Sequence, residues 1–124
     1  MGDLEGATQH IDAASIRGEG AVVSYVRGNI AANQGHLKTA LTYFNEAIET
    51  DPTHVRARLN RTSIHMATEN AQGALDDANI LLELAPGLSL AKLRRAEANM
   101  MLSNWEQAKN DLEQIVEELS LIHI

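Results

Sequence analysis

The residues of this chain best suited to catalysis or metal binding are its histidines and a pair of adjacent aspartates. The five histidines stand at positions 10, 36, 54, 65 and 123, and no two of them have the HExxH spacing of a helical zinc site. We expect Asp76 and Asp77 to lie on a solvated helix face as surface charge. The chain has no cysteine, which removes thiolate zinc sites and cysteine nucleophiles. The sequence therefore predicts no enzyme activity, no metal and no cofactor.

A second kind of chemistry is hydrogen bonding to a peptide, and three stretches of the chain carry side chains for it. On a helix, residues three or four positions apart share a face. The faces are Tyr25, Asn29 and Asn33, then Arg56, Asn60 and Ser63, and then Leu90, Arg94 and Glu97. Amide and guanidinium groups donate hydrogen bonds, while Tyr25 and Leu93 offer apolar contact. These residues are the predicted peptide-binding set.

A sequence repeat supplies the helices that would position these side chains. Alanine recurs at a constant interval at Ala40, Ala74 and Ala108, and the same interval separates Pro52 from Pro86. Apolar residues at helical spacing accompany each copy. The predicted first helices cover 21–34, 55–68 and 89–102, and the predicted second helices cover 37–50, 71–84 and 105–118. Small residues fit this pattern because antiparallel helices cross closely only where the facing side chains are short.

The same register divides the chain into segments and turns. Three copies cover about 21–54, 55–88 and 89–120, between an N-terminal arm of residues 1–20 and a tail of residues 121–124. We expect the arm to be a frayed helix or disordered. Gly35, Asn70 and Asn104 mark the turns inside the copies as helix breakers or N-caps, and Thr53 and Ser89 are candidate N-caps after the prolines. The predicted fold class is all-α.

Period, helix pair, small residues and closing proline together resemble the tetratricopeptide repeat family. The family implies a right-handed superhelix of three antiparallel helix hairpins, whose first helices line a concave groove. Two departures are visible. Ser24, Arg58 and Lys92 stand where the family has an early tryptophan, and Ser120 replaces the third proline.

Charge is distributed unevenly between the two kinds of helix. The first helices carry Arg27, Arg56, Arg58, Arg61, Lys92, Arg94 and Arg95, whereas most carboxylates lie on the second helices. In the superhelix that the resemblance implies, this predicts a basic groove and an acidic back. The alternative is that the two helices of each hairpin form salt bridges with each other. Arg27, Arg61 and Arg95 share one register, and we expect their stems to reach neighbouring carboxylates.

A narrower resemblance points to chaperone partners. RGNIAANQG, LNRTSIHMA and LRRAEANMM are similar to co-chaperone repeats that hold the acidic carboxyl end of heat-shock chaperones. Asn29, Asn60 and Arg94 match three of the five clamp positions, while Tyr25 and Leu90 replace the two lysines. SLAKLRRAEANMMLSNWEQAKNDLEQIV is also similar to repeats of J-domain co-chaperones, which hold unfolded client segments.

The predicted function is a protein-interaction adaptor or co-chaperone that binds an acidic or extended peptide in a basic groove. The alternative is an assembly subunit that associates through its last hairpin, with Leu119, Leu121, Ile122 and Ile124 in the contact. Net charge of −7 argues against nucleic acid and anionic membranes as partners. The acidic start lacks the pattern of a secretory signal, so the expected location is the cytoplasm.

Overall fold

The computed structural model describes residues 13–122, and every element in this range is an α-helix. The helices are α1 (Ala13–Asn33), α2 (Leu37–Thr50), α3 (Val55–Ala67), α4 (Ala71–Leu84), α5 (Ser89–Met101) and α6 (Trp105–Ile122). The predicted bounds of α2 and α4 are confirmed, and α3 and α5 each end one residue earlier than predicted. Residues 13–20, predicted as an arm, belong to α1, and Leu121 belongs to α6 rather than to a tail. Residues 1–12 and 123–124 lie outside the described range.

The described residues form two compact units, which divide between Ala57 and Arg58. In the first unit, α1 packs against α2, and the close crossing depends on a residue without a side chain. A Cβ atom at Gly28 would lie 2.6 Å from Cε1 of the buried Phe44. Phe44 therefore occupies the space that Gly28 leaves open. Ala21, Ala31 and Ala40 of the same two helices are also buried.

In the second unit, α5 packs against both α4 and α6. The predicted small positions Ala74 and Ala108 are buried here, together with Ala78, Ala91, Ala96 and Ala98. Leu81 and Thr62 are the large side chains fully enclosed among them. Because the buried residues are mostly alanines, neighbouring helices can approach closely. The stability of this core therefore rests on close packing between helices rather than on large apolar side chains.

The turn inside each hairpin repeats the same backbone geometry. Gly35, Glu69 and Ser103 all have positive φ, at 79°, 60° and 63°. The next residue then donates its backbone N–H to the carbonyl five residues earlier, at 2.9 Å from His36 to Ala31 and 2.7 Å from Asn70 to His65. This left-handed residue ends the first helix of each copy and satisfies its last carbonyls.

Helix N-caps agree with the sequence prediction at one position and differ at two. The Asn70 side chain caps α4 by accepting a hydrogen bond from the Gly73 N–H. Thr53 was a wrong prediction, because its hydroxyl donates to Asp51, and His54 Nδ1 accepts from the Ala57 N–H instead. Ser89 was also wrong: Leu88 holds the cap position, and the Ser89 hydroxyl donates to Glu118. In both cases the hydroxyl donates to a nearby carboxylate, and the residue before it or after it holds the cap position.

Candidate peptide-binding site

Most cations of the first helices form ion pairs with second-helix carboxylates of their own hairpin. Arg61 Nε donates to Asp77 Oδ2 at 2.7 Å, and Arg95 Nε donates to Asp111 Oδ2 at 2.8 Å. The two pairs are the same contact in successive copies of the repeat. The prediction that the stems of Arg27, Arg61 and Arg95 reach carboxylates is thus confirmed for Arg61 and Arg95, whereas Arg27 has no ion pair among the described residues. For Arg61 and Arg95 the alternative is correct: the uneven distribution of charge reflects salt bridges between the two helices of a hairpin. Their guanidinium groups are therefore engaged within the protein.

The pair Asp76 and Asp77 divides between surface and interior. Asp76 is exposed, as predicted. The prediction for Asp77 was wrong, because its side chain is buried and accepts hydrogen bonds from both Arg58 and Arg61. His65 Nε2 lies 3.7 Å from Asp77 Oδ2. Asp77 therefore holds the α3–α4 hairpin together from within.

His65 is partly enclosed between α3 and α4. Its Nδ1 lies 3.2 Å from the Asn70 side-chain nitrogen. Burial lowers the pKa of His65 below its ordinary value of 6.5; the Asp77 carboxylate opposes this effect, and Arg61 adds to it. The imidazole is therefore mainly neutral at pH 7.

Lys92 could offset the two missing clamp lysines only if its ammonium group were available. It instead donates to Glu118 Oε1 at 2.5 Å, and Ser89 donates to the other oxygen of the same carboxylate. The hydrogen bonds from Lys92 and Ser89 lower the pKa of Glu118. Lys92 is thus committed to joining α5 and α6.

The predicted binding face of α5 holds one ion pair with an incompletely bonded guanidinium. Arg94 Nη1 donates to Glu97 Oε1 at 2.8 Å across one helical turn. Arg94 Nε is buried and has no hydrogen-bond partner among the described residues. Leu93 is half-buried beside them. This face combines a cation, an anion that competes for it, and an apolar surface.

The other predicted site residues lie on α1 and α3. Tyr25 packs its ring 5.0 Å from the His54 ring and 6.3 Å from the Phe44 ring, measured between centroids. The half-buried residues are Asn29 and Asn60, and the exposed ones are Asn33, Arg56 and Ser63. Tyr25, Asn29, Asn33 and Arg56 belong to the first unit, whereas Asn60, Ser63, Leu93, Arg94 and Glu97 belong to the second. A single groove made from both sets stays a prediction.

An apolar surface at the last helix was anticipated only in part. Leu119 and Leu121 are exposed, as the assembly alternative requires, and Ile124 lies outside the described residues. The sequence analysis did not single out Trp105 and Val116, which line an open hollow of about 550 Å³ along α6. Of their repeat equivalents, Ala71 is buried and Leu82 is half-buried. Comparing exposure at equal repeat positions is therefore the signal that finds them.

Residues 13–122 contain no group of three or more His, Asp or Glu side chains placed to hold a metal ion. Within the same range, no helix is both long and apolar enough to cross a membrane.

Comparison with known proteins supports the fold read from these helices. The family model for the tetratricopeptide repeat matches residues 21–54. A STIP1 homolog from Dictyostelium discoideum is 32% identical over 70% of this chain, and a tetratricopeptide repeat and J domain-containing co-chaperone from Fusarium oxysporum f. sp. lycopersici is 30% identical over 62%. The chain spans only 15% of the length of each.

A solved structure of the first tetratricopeptide-repeat domain of Spaghetti (RPAP3), bound to the HSP90 peptide SRMEEVD, superposes with a TM-score of 0.77. It is 27% identical, and the match covers 87% of this chain and 82% of that one. The described helices therefore have the helix-hairpin solenoid fold of such domains. With the family match at residues 21–54, they identify the chain as a tetratricopeptide-repeat protein.

Proposed function

We propose that this chain is a protein-interaction module that binds an acidic peptide segment, as a co-chaperone does. The observation that carries the proposal is the match to a domain of the same fold that is bound to SRMEEVD. Similarity to a J-domain co-chaperone supports the same class of function. The heat-shock chaperone carboxyl end predicted from the sequence is the first partner to test.

Arg94 is the proposed anchor for a peptide carboxylate. Five of the seven first-helix cations already have carboxylate partners: Arg58, Arg61, Lys92, Arg94 and Arg95. Of these, only Arg94 pairs within its own helix, where both side chains are partly exposed. A peptide carboxylate can replace Glu97 there without separating two helices. Leu93 adds apolar contact on the same turn, and Asn60 and Ser63 are the proposed polar contacts from α3.

Glu97 has a defined role in this arrangement. Its carboxylate neutralises Arg94 and repels an acidic ligand, so it lowers the affinity that Arg94 alone would give. An ion pair of this exposure is worth about 0.5–1 kcal/mol. Glu97→Gln should therefore tighten acidic peptide binding by about two- to fivefold.

The test is fluorescence anisotropy with labelled SRMEEVD, once with a free carboxyl terminus and once amidated. We expect the free acid to bind and the amide to bind more weakly. Arg94→Gln should weaken the free acid by at least about tenfold, because a charge-assisted hydrogen bond is lost. Lys38→Gln, a matched change on the exposed surface of α2, should leave affinity unchanged. Binding that ignores both the cap and Arg94→Gln, or no binding, would overturn the proposal.

The exposed apolar surface of α6 supports a second candidate function, assembly. Trp105, Val116, Leu119 and Leu121 are all exposed on one helix. Scattered apolar residues are ordinary at a protein surface, but a contiguous apolar hollow marks an interaction site. We propose that α6 forms an assembly contact, in addition to the peptide site on α5.

A further inference from the structure

The exposed surface of α6 corresponds to a surface of α4 that is covered inside the molecule. Trp105 is 63% exposed, whereas Ala71, its equivalent in the preceding copy of the repeat, is 8% exposed. Val116 is 60% exposed, and its equivalent Leu82 is half-buried. Within the second unit, α5 packs against α4. α6 therefore exposes to solvent the side that corresponds to the α5-facing side of α4.

The exposed surface of α1 corresponds in turn to the side of α5 that faces α4. Ala91, Arg95 and Ala98 share this side of α5, because Arg95 Nη1 donates to Asn79 Oδ1 of α4 at 3.3 Å. Ala91 and Ala98 are fully buried. Their α1 equivalents in the first copy of the repeat are Val23 and Ile30, at 48% and 52% exposed. α1 thus exposes to solvent the side that corresponds to the α4-facing side of α5.

We propose that α1 of one copy of this chain packs on α6 of a second copy, as α5 packs on α4. This inference rests on the assembly function proposed above and names both surfaces of the contact. Val23 and Ile30 would meet Trp105 and Val116, so apolar area now in water would be buried on both sides. These side chains are larger than the internal alanines, which places the two helices towards the wide end of the usual separation of about 8–10 Å.

Charge is complementary in the proposed contact. The internal hydrogen bond joins Arg95 to Asn79, and the equivalent positions at the contact are Arg27 and Glu113. The neutral acceptor is thus replaced by a carboxylate. Arg27 is exposed and has no ion pair among the described residues. Glu113 is also exposed, with Lys109 3.9 Å away in a solvated pair. A salt bridge between copies would therefore fix the register of the apolar contact.

Because the two surfaces differ, the contact is head-to-tail and leaves one free copy of each surface at the ends. Such heterologous contacts extend into open chains unless a rotation closes them into a ring. The assembly is thus expected to grow with protein concentration rather than to stop at a dimer.

Sedimentation velocity over a wide concentration range, together with the emission of Trp105, tests the inference. The chain contains a single tryptophan, so a blue shift on concentration reports burial of Trp105. We expect mass and blue shift to rise together for the unaltered chain. Arg27→Glu and Glu113→Arg should each stay monomeric when alone, because like charges then face each other. Circular dichroism verifies that each variant is folded.

Mixing the two variants provides the sharpest outcome. Each contact between unlike variants pairs opposite charges, so the mixture should assemble although neither component does. Lys38→Glu and Glu49→Arg make the same charge changes on exposed positions of α2 and should assemble like the unaltered chain. A strict monomer with unchanged Trp105 emission would overturn both the assembly function and this contact. Association that ignores Arg27→Glu and Glu113→Arg, or a mixture that stays monomeric, would leave assembly standing and overturn the head-to-tail contact.

Discussion

At the scale of single residues, two adjacent aspartates with the same chemistry have opposite environments. Asp77 is buried and accepts hydrogen bonds from two arginines, while the exposed Asp76 accepts one from Gln72. Removing one partner of a buried ion pair leaves an uncompensated charge and typically costs about 3–5 kcal/mol. Asp77→Asn should therefore destabilise the chain by about 3 kcal/mol, measured as the free energy of unfolding in urea.

Asp76→Asn is the matched control, since it makes the same chemical change one residue away. It should alter the free energy of unfolding by less than about 0.5 kcal/mol, as is usual at exposed positions. Equal effects of the two substitutions would contradict the assignment of Asp77 as the internal anchor of the hairpin.

His65 makes the stability of the same hairpin depend on pH. Burial lowers its pKa in the folded chain, so the unfolded chain binds a proton first as pH falls below about 6.5. The stability that neutral His65 provides is present above this pH and is lost progressively as the pH decreases. Asn99 is the equivalent of His65 in the next copy of the repeat, where it accepts a hydrogen bond from Asn104. The variant His65→Asn therefore introduces the side chain that the next copy already has at this position. Urea titrations between pH 7.5 and 5.5 should show a smaller loss of stability in this variant; an identical loss would exclude His65 as the source.

At the scale of elements, each hairpin turn contains one residue with left-handed backbone geometry. Only the first copy of the repeat has glycine at this position. Glu69 and Ser103 adopt positive φ in the second and third copies, which is unfavourable for residues with a Cβ atom. Glu69→Gly should stabilise the chain by about 0.5–1 kcal/mol, whereas Gly35→Ala should destabilise it by a similar amount. Gly87→Ala, at a glycine without positive φ or close neighbours, is the control in thermal unfolding. Destabilisation by Glu69→Gly would contradict the strain argument.

The same turns show what the sequence could and could not predict. The bounds of α2 and α4 followed from periodic apolar residues and from the small residues at the crossings, since both are local patterns. The left-handed residues at Glu69 and Ser103 carry no such pattern, because tertiary packing imposes the turn on unsuited residues. The start of α1 was missed because its glycines favour a loop.

For the candidate site, the sequence predicted which residue types are present better than which of them can bind a ligand. Residue types and helical faces identified Arg94 and Glu97, whose spacing also permits an ion pair within the helix, but only the structure shows that Lys92 pairs with Glu118 of another helix. The burial of Asp77 was also missed, although Asp77 lies three residues after Ala74 and four before Leu81, on the buried side of α4. Ion pairing between helices decides which cations can meet a ligand, and such contacts depend on side-chain positions that spacing alone does not give.

At the scale of the whole molecule, we expect local stability within the second unit to be higher in α4 than in α6. α4 packs against α5, and its Asp77 is bound by two arginines of α3. Within the described residues, α6 packs against α5 and leaves its apolar side in solvent. Local opening is easier where fewer contacts must break. In dilute solution, where copies do not associate, native-state hydrogen exchange should therefore be slower for the central amides of α4 than for those of α6. At high concentration, a head-to-tail contact would slow exchange in α6 while leaving α4 unchanged. Equal exchange of α4 and α6 in dilute solution would contradict the prediction that α6 is the less stable end of the unit.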